Sequence, residues 1–218
     1  MMNQSLDTLV AAAEERWLEA WLAGPTRLTW SSLPPQVGEP APDATVQDLE
    51  GKPVALSRFW QEKPLLLVFT RQYGCGCGAE RAARLKEEYA EYVAAGAEVI
   101  AVGQGKPPRS KWYIQHFDLP CVVLSDPECR AYEAFGLVEG QPSQILPDFD
   151  WHPGDLENGQ RLLEARREMG RPLVDNPWLL PGEFVIDTRG IIRYAHRYQY
   201  CEDHPPKINL LAGIKAAQ

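Results

Sequence analysis

Two cysteines separated by one residue, Cys75-Gly76-Cys77, carry the most chemistry in this sequence, and Gly74 and Gly78 bracket them. Buried structural cysteines ordinarily lie on apolar faces. Flanking glycines instead leave a thiol uncovered and let a substrate or another backbone approach. The pair follows Pro64-Leu65-Leu66-Leu67-Val68-Phe69, a continuous apolar run expected of a strand buried on both faces. It precedes a helical pattern from about Ala79 to Ala95, with Ala82, Leu85, Tyr89, Tyr92 and Val93 on one face and Gly96 as its stop. A loop between such a strand and helix lies at the strand's carboxyl edge, where open α/β sheets gather their reaction sites. The helix terminus adds free N–H groups and partial positive charge, so the pattern predicts Cys75 and Cys77 as thiolate-prone, reactive residues. The plainer alternative is a turn whose cysteines are incidental. Residues two apart place their Cα atoms roughly 5.5–7 Å apart, near the upper part of the disulfide range. A Cys75–Cys77 bond would therefore be tight and easily reduced, which suits catalysis or regulation better than structure.

The elements around this loop alternate. Leu6 to Leu22 reads as an amphipathic helix, with Leu6, Leu9, Val10, Ala13, Trp17 and Trp21 at spacings of three and four and Gly24-Pro25 ending it. Its tryptophans are expected to pack on the main domain. A proline-rich linker, Leu33 to Pro42, follows. Short strands are expected at Ala44–Gln47 and Val54–Leu56, then at Glu98–Val102 and Val122–Leu124, with a helix between the last two from Pro108 to Phe117. Asp126-Pro127 opens a short helix closed by Gly136. Glu139 to Leu180 reads as an insertion with one helix around Leu156–Met169. Strands at Glu183–Ile186 and Ile191–His196 and a helix after Pro206 complete an α/β pattern with a mixed sheet. The domain reading is an N-terminal helix and linker over 1–34 and one domain over 35–218.

Composition excludes several classes of function. The formal charge of -8 and the absence of any Lys/Arg block argue against nucleic acid. No apolar run is long enough to cross a bilayer, and no basic segment leads into an apolar one near the N-terminus. The expectation is therefore a cytoplasmic protein with no membrane partner. Five unevenly spaced cysteines do not form a secreted disulfide framework. No phosphate loop or Gly-x-Gly-x-x-Gly pattern implies an organic cofactor, and none is expected.

Three segments carry a family resemblance: Leu65 to Leu85, Leu119-Pro120-Cys121-Val122-Val123-Leu124-Ser125-Asp126-Pro127 leading to Tyr132 and Phe135-Gly136-Leu137, and Leu180-Pro181-Gly182-Glu183-Phe184-Val185-Ile186-Asp187. They resemble the alkyl hydroperoxide reductase/thiol-specific antioxidant (AhpC/TSA) superfamily. Arg71-Gln72-Tyr73-Gly74-Cys75 and the closing His196-Arg197 to Asp203-His204-Pro205 resemble its peroxiredoxin-like branch. The resemblance covers roughly Val37 to the C-terminus. It implies a thioredoxin-like mixed sheet flanked by helices and thiol-dependent antioxidant or reductase activity. The departures are specific. Peroxidatic sites of the family carry Pro-x-x-x-(Thr/Ser)-x-x-Cys and a distant Arg; matched on Cys75, those positions hold Val68, Gln72 and Pro181. The branch's usual second cysteine falls on Gly78.

Pro181-Gly182-Glu183-Phe184 also resembles the cis-proline turn that thioredoxin-like reductases set before the strand facing their cysteines, so a cis bond is expected at Pro181. In that topology the last strand returns to the reactive edge, which puts His196, Cys201 and His204 on the rim with Cys75. Cys201 is then a resolving thiol, a zinc ligand with Cys75, Cys77 and a histidine, or an exposed loop thiol. Asp203-His204 would orient that loop. Arg71 either sets positive charge beside Cys75 or is solvated at the strand end. Cys121 and Cys129 are expected to be buried as small hydrophobes, and Glu80 to favour the helix dipole. The expected protein is a thiol-dependent oxidoreductase reducing peroxide or disulfide, with Cys75 as nucleophile, Cys77 resolving, and an external thiol such as a thioredoxin as reductant. A homodimer is open to it. The alternative is a non-enzymatic redox-sensing or zinc-binding module.

Overall fold

The computed structural model describes residues 5–145, 152, 154–171 and 174–218; the remainder of the 139–180 insertion lies outside them. The apolar run forms β3 (Leu65–Phe69), every residue of which is buried. It pairs in parallel with β4 (Glu98–Gly103) and antiparallel with β6 (Gly182–Ile186). With β1 (Thr45–Gln47), β2 (Pro53–Ala55), β5 (Val122–Ser125) and β7 (Ile192–Arg197) this gives a seven-stranded mixed sheet in the order β2-β1-β5-β4-β3-β6-β7.

Side chains alternate across a strand, and β3 shows the result directly. Leu66 and Val68 enter one core with Leu85, Tyr92, Val99, Tyr113, Leu210 and Ile214, residues of β4 and of helices α2 (Gly76–Ala94), α3 (Pro107–Phe117) and α7 (Lys207–Ala216). Leu65, Leu67 and Phe69 enter a second core on the opposite face, with Ile100, Tyr132, Phe135 and Phe184. Asp126 caps α4 (Arg130–Ala134) by accepting the N–H groups of Arg130, Ala131 and Tyr132. A four-residue turn of helix, α5, spans Pro142–Ile145.

A third cluster forms where the N-terminal helix α1 (Leu6–Ala23) meets α6 (Leu156–Glu168) of the insertion. The expected apolar face is present: Leu9, Ala13, Trp17 and Trp21 are buried. Trp17 stacks on Trp21 with centroids 5.4 Å apart, and Trp21 on Trp178 at 5.3 Å. Trp178 donates from its indole to Ala20 O at 2.7 Å, and Glu14 pairs with Arg167. The same cluster holds Leu162, Leu163, Val174, Leu180, Tyr198, Cys77 and Cys201, with Cys75 packed against it. The two segments without a place in the sheet therefore cover the cysteine end of β3 together. The proline-rich linker lies along the start of β7, where Gly38 donates to Ile192 O and Ile192 to Glu39 O.

Candidate active site

After β3 the chain turns through Gln72–Gly74, closed by the Cys75 N–H donating to Gln72 O at 3.1 Å. Cys75 is the N-cap of α2, so the helix begins at Gly76, three residues before the sequence pattern places it. The Cys75 side chain makes no capping bond. Its sulfur is free to face the loop, half-buried, while Cys77 is buried to 5% exposure in the first turn. The glycines do not uncover both thiols as expected. They permit close packing instead: a Cβ on Gly78 would lie 3.2 Å from Gln72 O, and one on Gly76 3.3 Å from Arg171 Nη1.

Arg71 is buried, not solvated. Its Nη1 donates to Leu179 O at 2.8 Å and its Nη2 lies 3.9 Å from Cys75 Sγ. Cys201 is no exposed loop thiol either. It is 5% exposed, its N–H donates to Gln144 O at 2.9 Å and its thiol points at Ile145 O at 3.4 Å. Cys77 shares a buried cluster and a cavity wall with Cys201, and Cys75 packs against that cluster.

This contact reverses the expected acidities. The Cys75 thiol is pushed up by donating to Cys77 and by burial, which outweigh the pull of Arg71 and Arg166. Cys77 is raised by donating to Cys201, and by burial, against the bond it receives from Cys75. Cys201 alone is lowered, because it accepts from Cys77 and sees Arg71, although burial opposes this. Burial works against the Arg71 charge, yet the three sulfurs facing it hold that guanidinium firmly protonated. Charge in the cluster is therefore shared among the coupled thiols.

A cavity of about 20 Å³, the scale of one water molecule, lies behind the loop and is lined by Arg71, Cys77, Pro181, Tyr198, Cys201 and His204 among others. Under it Glu183 is clamped by Arg81 Nε and Nη2 at 2.7 and 2.8 Å and accepts from Tyr198 Oη at 2.7 Å. Tyr198 Oη also lies 3.1 Å from His204 Nδ1. Burial lowers the His204 imidazole and keeps it neutral, against the pull of Glu80, whose carboxylate lies 3.9 Å away. His196 sits off the cavity, bonded to Asp203 O at 2.7 Å, and Asp203 accepts the Gln199 N–H. Pro181 lines the cavity, but no peptide bond among the described residues is cis. Pro181 holds its place through the antiparallel pairing of β3 with β6, which begins one residue later with Phe69 opposite Gly182. Gln72, at the family's hydroxyl position, has its side-chain oxygen taken by the Asp175 N–H.

Cys121 is buried in the α2–α3 core. Cys129 is only half-buried and precedes α4 with a positive φ of 52°. All five thiols are free. Among the described residues no group of three or more His, Cys, Asp and Glu side chains is arranged to hold a metal ion. No described helix is long and apolar enough to cross a membrane. Two contributors escaped the sequence reading. Arg166 stacks over the Trp17 ring at 5.0 Å with its charge toward Cys75 and Cys77. Trp178 completes the stack above them. The only signal for Arg166 was its helical spacing of three and four from Leu163 and Leu162.

The AhpC/TSA family model matches residues 37–195. Chloroplastic peroxiredoxin Q of Arabidopsis thaliana is 29% identical over 165 residues, 75% of this chain and 60% of that protein. The chloroplastic thioredoxin-like protein AAED1 of the same plant is 28% identical over 102 residues, 47% of this chain and 41% of that protein. The chain thus spans about half the length of the curated relatives it matches. The crystal structure of peroxidoxin BcpB from Mycobacterium tuberculosis superposes with a TM-score of 0.60 at 16% identity, covering 84% of this chain and 99% of that one, and shares its fold.

Proposed function

Because this chain belongs to the AhpC/TSA family, we propose that it is a thiol-dependent antioxidant oxidoreductase that reduces peroxides or disulfides at Cys75. The observation that carries this reading is the position of Cys75. It occupies the N-cap position of α2, is the most exposed of the three clustered cysteine residues, and has the buried Arg71 guanidinium 3.9 Å from its sulfur. A positive group at that distance favours the thiolate and the anionic transition state of attack on an O–O or S–S bond. Cys77, in contact with Cys75, condenses with the oxidised sulfur and releases water or a thiol. An external dithiol of the thioredoxin kind returns the site to its reduced form, and five free thiols fit a reducing compartment such as the cytoplasm. The relatives' names support the peroxide side of this reading. The replaced positions Val68, Gln72 and Pro181 make the disulfide substrate its necessary control.

The test is turnover of hydrogen peroxide and of a small disulfide with thioredoxin as electron donor. Cys75→Ser is expected to drop both to background. Undiminished turnover in that variant would remove the proposal.

A further inference from the structure

The three clustered thiols differ in access. Cys75 is half-buried as a residue, whereas Cys77 and Cys201 are each 5% exposed and share one buried cluster with the stacked tryptophans, Tyr198 and Leu180. Cys77 and Cys201 line one small cavity within that cluster, and Cys75, two residues from Cys77, packs against it. Cys75 is thus the most exposed residue of the three, and Cys77, two residues on in the same helical turn, is the one that shares the buried cavity with Cys201. We propose that Cys201 is a third redox thiol, which takes the oxidising equivalent from Cys75 through Cys77 and holds it as a buried Cys77–Cys201 disulfide. This deepens the function proposed above and takes its first step from it.

The sequence of bonds balances. Oxidised Cys75, as a sulfenic acid or a mixed disulfide, is attacked by the Cys77 thiol; a Cys75–Cys77 bond forms and water or the external thiol leaves. The Cys201 thiolate then attacks Cys77 Sγ. The Cys77–Cys201 bond forms, the Cys75–Cys77 bond breaks, and its electron pair stays on Cys75 as a thiolate. Nothing is oxidised or reduced overall in this second step, since the same two-electron oxidation moves to another pair of sulfurs.

Three features favour the transfer. The ring closed by Cys-Gly-Cys is tight, and the exchange opens it. Arg71 faces all three sulfurs, so negative charge moving from Cys201 to Cys75 stays beside the same guanidinium. The small cavity next to Cys77 and Cys201 leaves space for the Cys77 sulfur to turn from one partner to the other. The neighbouring Cys77 thiol and the Arg71 charge, against burial, favour the Cys201 thiolate that attack requires.

The test uses the reduced full chain and one equivalent of 5,5′-dithiobis(2-nitrobenzoate), which loads an accessible thiol without needing peroxide chemistry. Parallel samples receive one equivalent of hydrogen peroxide. After alkylation in denaturant, trypsin releases Gln72–Arg81, with Cys75 and Cys77, and Tyr198–Lys207, with Cys201. The expected product is these two peptides cross-linked through Cys77 and Cys201, with Cys75 alkylated and two nitrothiobenzoate anions released per chain. Cys201→Ser is expected to keep the disulfide inside Gln72–Arg81 and to leave Cys75 blocked. In the wild-type chain, a disulfide confined to Gln72–Arg81, or one joining Cys75 to Cys201, would overturn the relay whatever the variant does. If the cross-link forms with the nitrobenzoate reagent while peroxide leaves every thiol reduced, the relay stands and the peroxide reading falls.

Discussion

Arg71 does more than any other side chain to make sulfur chemistry possible here. Its charge acts on Cys75, Cys77 and Cys201 together, and burial keeps water from screening it. Replacing it by Met keeps the volume and removes the charge. Arg71→Met is expected to move the pH profile of Cys75 alkylation upward by about one unit, a roughly tenfold lower rate at neutral pH. An unchanged profile would mean that the helix terminus and Arg166 suffice without it. This role was only half legible in the sequence. Adjacency to the loop marked Arg71 as a candidate, but spacing along the chain says nothing of the contact with Cys201, 130 residues further on. The inverted order of acidities has the same origin. A helix terminus read from sequence acts on Cys75 alone, whereas the thiol contacts that decide the order arise only on folding.

Among the elements, α1 and α6 matter most, because neither belongs to the sheet and both cover the thiols. The amphipathic period of α1 identified which face is buried. It could not say that the face meets α6 and Trp178, since periodicity reports burial and not the partner. The β3–α2 unit was legible because a five-residue apolar strand and a helix stop are local signals; the insertion was not, because its contacts run over 100 residues or more, as with Trp178 and Ala20. Trp21→Ala should remove stacking on both sides and the indole bond to Asp155 O. The expected cost is about 3–5 kcal/mol of stability, read by denaturant unfolding, together with faster native-state alkylation of Cys77 and Cys201. Alkylation rates unchanged at full stability would show that the helix is not their cover.

The whole molecule carries a net charge of -8, so its acid response depends on which carboxylates the fold holds ionised. Asp187, in the turn between β6 and β7, is the clearest case. Burial pushes its carboxyl up, but the Ile191 and Arg189 N–H groups and the Arg193 and Arg189 guanidiniums bring it from 3.8 down to about 2. A carboxyl lowered in the folded state stabilises the fold above its unfolded value, near 3.8, and that stabilisation fades as pH falls toward 2. Asp187→Asn should be less stable than the wild type at pH 7 by about 1 kcal/mol, allowing for the solvent around Arg189. The gap is expected to close between pH 4 and 2 in acid-unfolding curves. A gap constant with pH would assign the effect to the turn's geometry and not to its charge.

The distance along the chain between Cys77 and Cys201 has a consequence for biosynthesis. They are 124 residues apart, and at about 5–20 residues per second a ribosome needs roughly 6–25 s to pass from one to the other. Throughout that interval the nascent chain holds Cys75 and Cys77 as an adjacent dithiol, while the strands β6 and β7 that flank β3 and lead to Cys201 have yet to emerge. A polypeptide oxidised in this window can close the tight ring, pair wrongly with Cys121 or Cys129 once they emerge, or join a stranger's thiol, but it cannot reach Cys201. Its vulnerability to the oxidant it is proposed to remove is therefore greatest before Cys201 has joined the folded site.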